Sequence, residues 1–300
     1  MKFRHFFQNL SPYIRLLRIE QWTKNTFIFF PLFFGQQLFS PKTIFFSIIG
    51  FFSFSFMASS IYCINDLFDV EADKKHPVKC HRPLASGQVK ERDVKILIVG
   101  LCCLSLLINQ LFQLNPLKIL IVLLAYFILN LLYTVKLKQI AIVDVFIIAV
   151  GFILRLFVGS FSGDIELSRW IILMTFLLAL FLAFAKRRDD VLIFQQSGVV
   201  TRKNILQYNI PFLNSILSLL SAVTIVAYIM YTVDDEVCRL LNNDYLYITS
   251  IFVIMGILRY LQQALVFSKS GSPTYILLKD RILQTIISCW IVSFLIILYL

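Results

Sequence analysis

The stretch "TIFFSIIGFFSFSFMASSIYCINDLFDVEAD", Thr43 to Asp73, changes character at Asn65. Its first part carries no charge and is long enough, at about 1.5 Å per residue, to cross ~30 Å of hydrocarbon as a helix. Four acids, Asp66, Asp69, Glu71 and Asp73, then crowd the end of that helix, and a basic cluster including Arg82 follows in "CHRPLASG". If the helix continues, a turn of about 100° per residue sets Asn65, Asp66, Asp69 and Asp73 on one stripe and sends Glu71 elsewhere. Three carboxylates and an amide on one stripe make an oxygen-rich site of the kind Mg²⁺ prefers when it bridges carboxylates to phosphates. A solvated helix end with casual salt bridges to Lys74 and Lys75 would need no such alignment.

Working outward, the same pattern recurs. Hydrophobic residues make up 59% of the 300-residue chain and charged residues 15%, well under the charge of a soluble domain. Nine apolar segments are predicted to span a membrane: 26–41, 43–64, 94–112, 117–134, 140–161, 169–185, 210–232, 245–266 and 282–300. The expected fold is an all-α membrane protein, a bundle of nine transmembrane helices forming a single domain over 1–300. With a cytoplasmic N-terminus, 22 of the 28 Lys and Arg residues fall on the inside and four on the outside. That asymmetry is the positive-inside signature of a multi-pass protein of the cell membrane. The +11 net charge sits in short loops between apolar runs, which suits lipid headgroups and phosphate ligands and argues against nucleic acid. Residues 1–25 read as a cytoplasmic amphipathic segment with Phe6, Phe7, Leu10, Ile14, Leu17 and Ile19 apolar and no cleavage site. The loops 65–93 and 186–209 are the charged ones, and the active site is expected there.

Other candidates lie along these segments. Lys24 in "EQWTKN" stands at the membrane edge beside Trp22, where snorkelling alone would explain it. Asp144 and Arg155 are eleven residues apart in one span, nearly aligned and ~16 Å apart along the axis. An intramembrane Arg is costly and marks a functional position by default, with a structural pair as the plain alternative. Tyr133 and Lys136 share a helix face at the mouth of the preceding span. In "AKRRDD", Lys186 and Arg187 precede Asp189 and Asp190 with no second Asp-x-x-x-Asp repeat. The six cysteines form no C-x-x-C pair and read as small core residues, and His76, Cys80 and His81 match no common zinc spacing.

These motifs resemble the UbiA-type superfamily of intramembrane prenyltransferases, whose N-D-x-x-D-x-x-x-D hallmark Asn65, Asp66, Asp69 and Asp73 match. Within it, "QWTKN", "RPLASG", "YTVKLK…VDV…GFILRLFVGS", "AKRRDD" and "KDRIL" are similar to the polyprenyl-phosphate phosphoribosyltransferases, the decaprenyl-phosphate 5-phosphoribose synthase type. Asp189 stands where that branch usually has Glu. The resemblance implies a Mg²⁺-dependent transfer of 5-phosphoribose from phosphoribosyl pyrophosphate to a polyprenyl phosphate. Asp66, Asp69 and Asp73 would hold the metal, with Asn65 assisting. Lys24, Arg82, Arg155, Lys186 and Arg187 would grip phosphates, and Tyr133, Lys136 and Asp144 would shape the donor pocket. Lipid would be the surrounding partner, and a homo-oligomer is compatible with the reading. The alternatives are transfer of a prenyl chain from a prenyl diphosphate to a small aromatic acceptor, or a lipid or ion transporter without chemistry.

Overall fold

A computed structural model describes residues 11–74, 79–198, 203–241, 243–267, 276 and 279–299. Helices and turns account for these residues, with no strand among them. The chain opens with α1 (Pro12–Leu16), a 3₁₀ segment (Ile19–Phe29) and α2 (Phe30–Phe34). There follow α3 (Pro41–Lys74), α4 (Glu91–Phe112), α5 (Pro116–Val135), α6 (Val143–Gly163) and α7 (Arg169–Ser197). The last elements are α8 (Ile210–Thr232), α9 (Asp235–Leu241), α10 (Ser250–Leu261), a π-helical turn (Gln262–Val266) and α11 (Arg281–Tyr299). Eight helical stretches among the described residues are long and apolar enough to cross a membrane, so the protein is a multi-pass membrane protein.

The first expected span, 26–41, is not one of the eight. Its helix is broken: 3₁₀ geometry persists to Phe29, Pro31 opens α2, and α2 stops before Gly35. The broken segment nonetheless runs antiparallel along α3. Trp22 Nε1 donates to Ser59 Oγ (3.0 Å), Asn25 Nδ2 to Ser55 Oγ (2.9 Å), and the Phe29 ring lies 5.7 Å from that of Phe51. Of the expected amphipathic segment, residues 1–10 lie outside the described residues. Beyond them Leu16 is buried, whereas Ile14 is exposed.

The contacts divide the chain into two compact units: Met1–Leu137 with Gly151–Leu167, and Lys138–Val150 with Ser168–Leu300. In the first, small residues let helices approach closely. Ser53 Oγ donates to Ser105 O (2.9 Å) and Ser105 Oγ to Ser53 O (2.7 Å), a reciprocal link between α3 and α4. Gly159 of α6 lies against the 3₁₀ segment so closely that a Cβ there would sit 1.9 Å from Ile28 O. Ile28, Phe54, Ile61, Leu123, Tyr126 and Val158 form the core beside it.

In the second unit the helix ends carry conventional signals. Ser168 caps α7 by accepting from Trp170 N (3.2 Å), and Gly198 ends it at φ 69°. Asn209 caps α8 and Asp280 caps α11, accepting from Phe212 N and Leu283 N at 2.8 Å each. Because α3 runs to Lys74 and α7 to Ser197, the first ten residues of the expected loop 65–93 and the first twelve of 186–209 are helical.

Candidate active site

The continued helix places the acids where helical phase predicts. Asp66 and Asp73 are buried at 3% exposure each, Asp69 is half-buried, and Glu71 is exposed and pairs with Lys74 (2.6 Å). Arg82 comes from the "HRPLASG" loop, whose Gly87 turns at φ 75°. Its Nη1 reaches Asp66 Oδ1 (3.2 Å) and also bonds Asp73 Oδ2. Two carboxylates seven residues apart therefore meet one cationic nitrogen. A second guanidinium, Arg18, bonds Asp66 Oδ1 and lies over the Tyr62 ring, 5.2 Å from its centroid. Among the described residues no three His, Cys, Asp or Glu side chains gather closely enough to enclose a metal in this arrangement. The donor set still suits one: acceptor-only oxygens from Asp66 and Asp73 converge on a single cation position, with Asp69 one turn from both. Asn65 Oδ1 accepts from Thr134 Oγ1 of α5, which fixes the amide beside this stripe.

Arg18 carries no sequence signal that separates it from an ordinary cytoplasmic base. The backbone brings it in. It adopts φ 50°, an uncommon left-handed conformation for a residue with a Cβ, between α1 and the 3₁₀ segment. Leu16 anchors the approach in a cluster with Cys63, Leu84, Val89, Val94 and Leu101. Ser59 Oγ donates to Leu17 O (2.7 Å) and Tyr13 OH to Asp93 Oδ2 (3.0 Å). The Asp93 bond raises the Tyr13 phenol above its ordinary pKa.

Arg155 occupies a different environment in the same unit. It is 4% exposed and finds neutral partners: Asn25 Oδ1 (2.8 Å from Nε), Gly151 O (2.6 Å from Nη1) and Tyr126 OH (3.3 Å from Nη2). The rings of Phe54, Phe152 and Tyr126 surround it at 4.9 to 5.3 Å. Ring faces and carbonyl dipoles disperse the charge of this buried guanidinium. Asn25 bonds Arg155 on one side and Ser55 on the other, so the cation braces the segment that carries Lys24.

The second unit holds a separate buried network. Arg187 Nε donates to Asp144 Oδ2 (2.6 Å) and its Nη1 to Asp190 Oδ2 (3.0 Å). Arg187 and Asp144 are each 0% exposed. Tyr208 OH donates to Asp144 Oδ1 (3.1 Å) and accepts from Ile142 N (2.6 Å). Burial pushes the Tyr208 phenol up to about 12, and the Asp144 charge adds to it. Ile142 stands at φ 69°, strained for a β-branched residue, immediately before α6. Lys186, one residue from Arg187, is exposed because a helix turns by about 100° per residue. Its neighbour Arg188 turns inward to Asn214 Oδ1 (2.7 Å) and Ala264 O (2.6 Å). In "KDRIL", Asp280 receives Arg259 Nη2 (2.8 Å), and these bonds hold its carboxyl below the usual range.

Asp66, Asp73 and Arg82 are thus brought together, while Asp144 and Arg187 form their own pair and Arg155 its own cage. Lys24 and Tyr133 are half-buried and Lys136 exposed. All six cysteines are free; His76 lies outside the described residues. Tyr208, Tyr126 and Arg18 stand in no quoted motif, and Asn25 closes "QWTKN" without a spacing that points to Arg155.

The family model described as the UbiA prenyltransferase family matches residues 26–194. The chain belongs to this family. It is 30% identical over 280 residues to a decaprenyl-phosphate phosphoribosyltransferase of Corynebacterium glutamicum, covering 93% of this chain and 84% of that one. A protein of the same name from Mycolicibacterium smegmatis is 33% identical over 249 residues, 81% and 77% of the two chains. The fold is similar to that of a UbiA homolog from Archaeoglobus fulgidus solved with DMAPP and Mg²⁺. The TM-score is 0.70 at 20% identity, over 96% of this chain and 99% of that one.

Proposed function

We propose that the protein transfers 5-phosphoribose from phosphoribosyl pyrophosphate to a polyprenyl phosphate, with Mg²⁺ held by Asp66, Asp69 and Asp73. The observation that carries this reading is the convergence of the Asp66 and Asp73 carboxylates on one cation position. The match to two phosphoribosyltransferases over most of the chain selects the substrates. When bound, the metal offsets the charge that develops on the departing diphosphate.

The chain's own residues do the rest. Asp66 and Asp73, bridged by Arg82, hold their oxygens toward the donor. Arg82 offers a fork that fits a phosphate oxygen pair. Asn65, fixed by Thr134, sets one edge of the stripe. Lys24 and Lys186 serve as phosphate contacts, while Arg155 and Arg187 hold the backbone that presents them. Tyr133 and Lys136 line the donor approach. An acceptor phosphate oxygen attacks the anomeric carbon. The bond to diphosphate breaks, and its electron pair leaves with the diphosphate. The attacking phosphate is already ionised, so no strong general base is needed, and catalysis is positioning and electrostatics.

We further infer nine crossings, the broken segment 19–34 making the first. At ~2 Å per 3₁₀ residue and ~1.5 Å per α residue its sixteen residues reach ~30 Å. The N-terminus and the acidic stripe then lie on the cytoplasmic side of the cell membrane, as the 22-to-4 distribution of basic residues supports.

Purified protein incubated with labelled phosphoribosyl pyrophosphate and a polyprenyl phosphate should yield a labelled lipid, and chelation should stop it. Absence of labelled lipid, together with turnover of a prenyl diphosphate and an aromatic acceptor, would replace this reading with prenyl transfer.

A further inference from the structure

We propose that Arg18 is a resident counter-cation of the acidic stripe, yielding Asp66 to the divalent metal and turning to the diphosphate of the donor. The inference rests on the phosphoribosyl-transfer reading and adds an ordered exchange of cations to it.

Two carboxylates of the stripe meet two guanidiniums, so the buried oxygens of Asp66 and Asp73 are charge-matched by the chain itself. The two arginines arrive differently. Arg82 bridges both acids from the loop after α3. Arg18 touches Asp66 alone and comes from the turn between α1 and the 3₁₀ segment. That turn is fixed from below by Leu16 and by the Ser59 bond to Leu17 O. The backbone of Arg18 is therefore held while its side chain, 22% exposed, is not enclosed.

Tyr62 gives the guanidinium a second place to rest. It precedes Asp66 by one helical turn, and Arg18 already lies over its ring at 5.2 Å. A guanidinium leaving the carboxylate can keep this contact, because a ring face binds the cation without regard to which anion it faces. A divalent cation on Asp66 and Asp73 would stand against both guanidiniums as a like charge. The same cation brings an anionic diphosphate, for which a guanidinium is a natural donor. Attraction at Asp66 before binding thus becomes attraction to the ligand after it, with Arg18 as the arm that moves.

The exchange predicts two shifts of opposite sign. Binding of Mn²⁺, without donor, is measured by electron paramagnetic resonance on the purified full chain. Binding of phosphoribosyl pyrophosphate in the presence of Mg²⁺ is measured by calorimetry. Arg18→Gln removes the competing cation, so Mn²⁺ should bind more tightly and the donor more weakly, each on the order of tenfold. Arg18→Lys keeps the charge but loses the fork, so both shifts should be present and smaller. It also decides the matter if Arg18→Gln does not fold. Mn²⁺ affinity that is unchanged or weaker in the folded variants would overturn the proposal and leave Arg18 as a brace. Asp66→Asn separates the two readings: if wild-type protein binds no Mn²⁺, or binds it as well after Asp66→Asn, the metal reading itself fails.

Discussion

The acidic stripe of α3 and the Asp144–Arg187 pair are both aspartate–arginine contacts, yet they are built in opposite ways. At the stripe the carboxylates are buried and the guanidiniums reach in from flanking segments, with side chains 22% and 29% exposed. At Asp144 both partners are enclosed, with Tyr208 donating to the same carboxylate and Asp190 accepting from the same guanidinium. A cation with access to water can be exchanged for another. A cation sealed among its partners has become part of the framework. The residue types are the same, and depth decides the role.

The sealed pair should break hardest. Arg187→Met leaves Asp144 buried without its cation and is expected to cost ~3–5 kcal/mol. Thermal unfolding in detergent would show the loss, and adding Asp144→Asn should restore most of it. The open stripe should break in rate instead. Asp73→Asn is expected to lower turnover by about 100- to 1000-fold, with a smaller stability loss than Arg187→Met because its partner Arg82 keeps access to water. EDTA should reproduce the rate loss, and Mg²⁺ should reverse it. Arg155→Leu lies between the two, since its partners are neutral. Asn25 Oδ1 would lose its donor at ~1–3 kcal/mol, and the KM for the donor should rise through the displaced Lys24 segment. Tyr208→Phe should change the rate least; it removes two hydrogen bonds, to Asp144 Oδ1 and from Ile142 N, at ~1 kcal/mol each. With its phenol pushed up to about 12, Tyr208 is neutral through working conditions. The pH–rate profile of the variant should keep its wild-type shape between about pH 6 and 9.

Much of this architecture was legible in the chain. Eight apolar stretches announced their helices, and helical phase alone separated Glu71 from Asp66, Asp69 and Asp73. What stayed hidden was hidden for physical reasons. Pro31 and Gly35 marked 26–41 as a segment with uncertain ends, but hydropathy does not report that 3₁₀ geometry precedes the break. Arg18 and Arg187 both sit in basic runs, and nothing in composition says which base turns inward. For Arg187 the helical phase relative to Lys186 was available, but the buried partner, 43 residues away at Asp144, was not. For Arg18 the deciding element is a left-handed backbone turn, which residue type does not announce.

The meeting of Gly159 with Ile28 O sets a mechanical tolerance for the molecule. With backbone against backbone and 1.9 Å left to a hypothetical Cβ, one added methyl group would act as a wedge. The 3₁₀ segment is tied to α3 at Trp22 and Asn25, so the wedge would lever that segment and carry Lys24 with it. A single hydrogen at Gly159 therefore gauges how firmly the opening segment of the chain is seated.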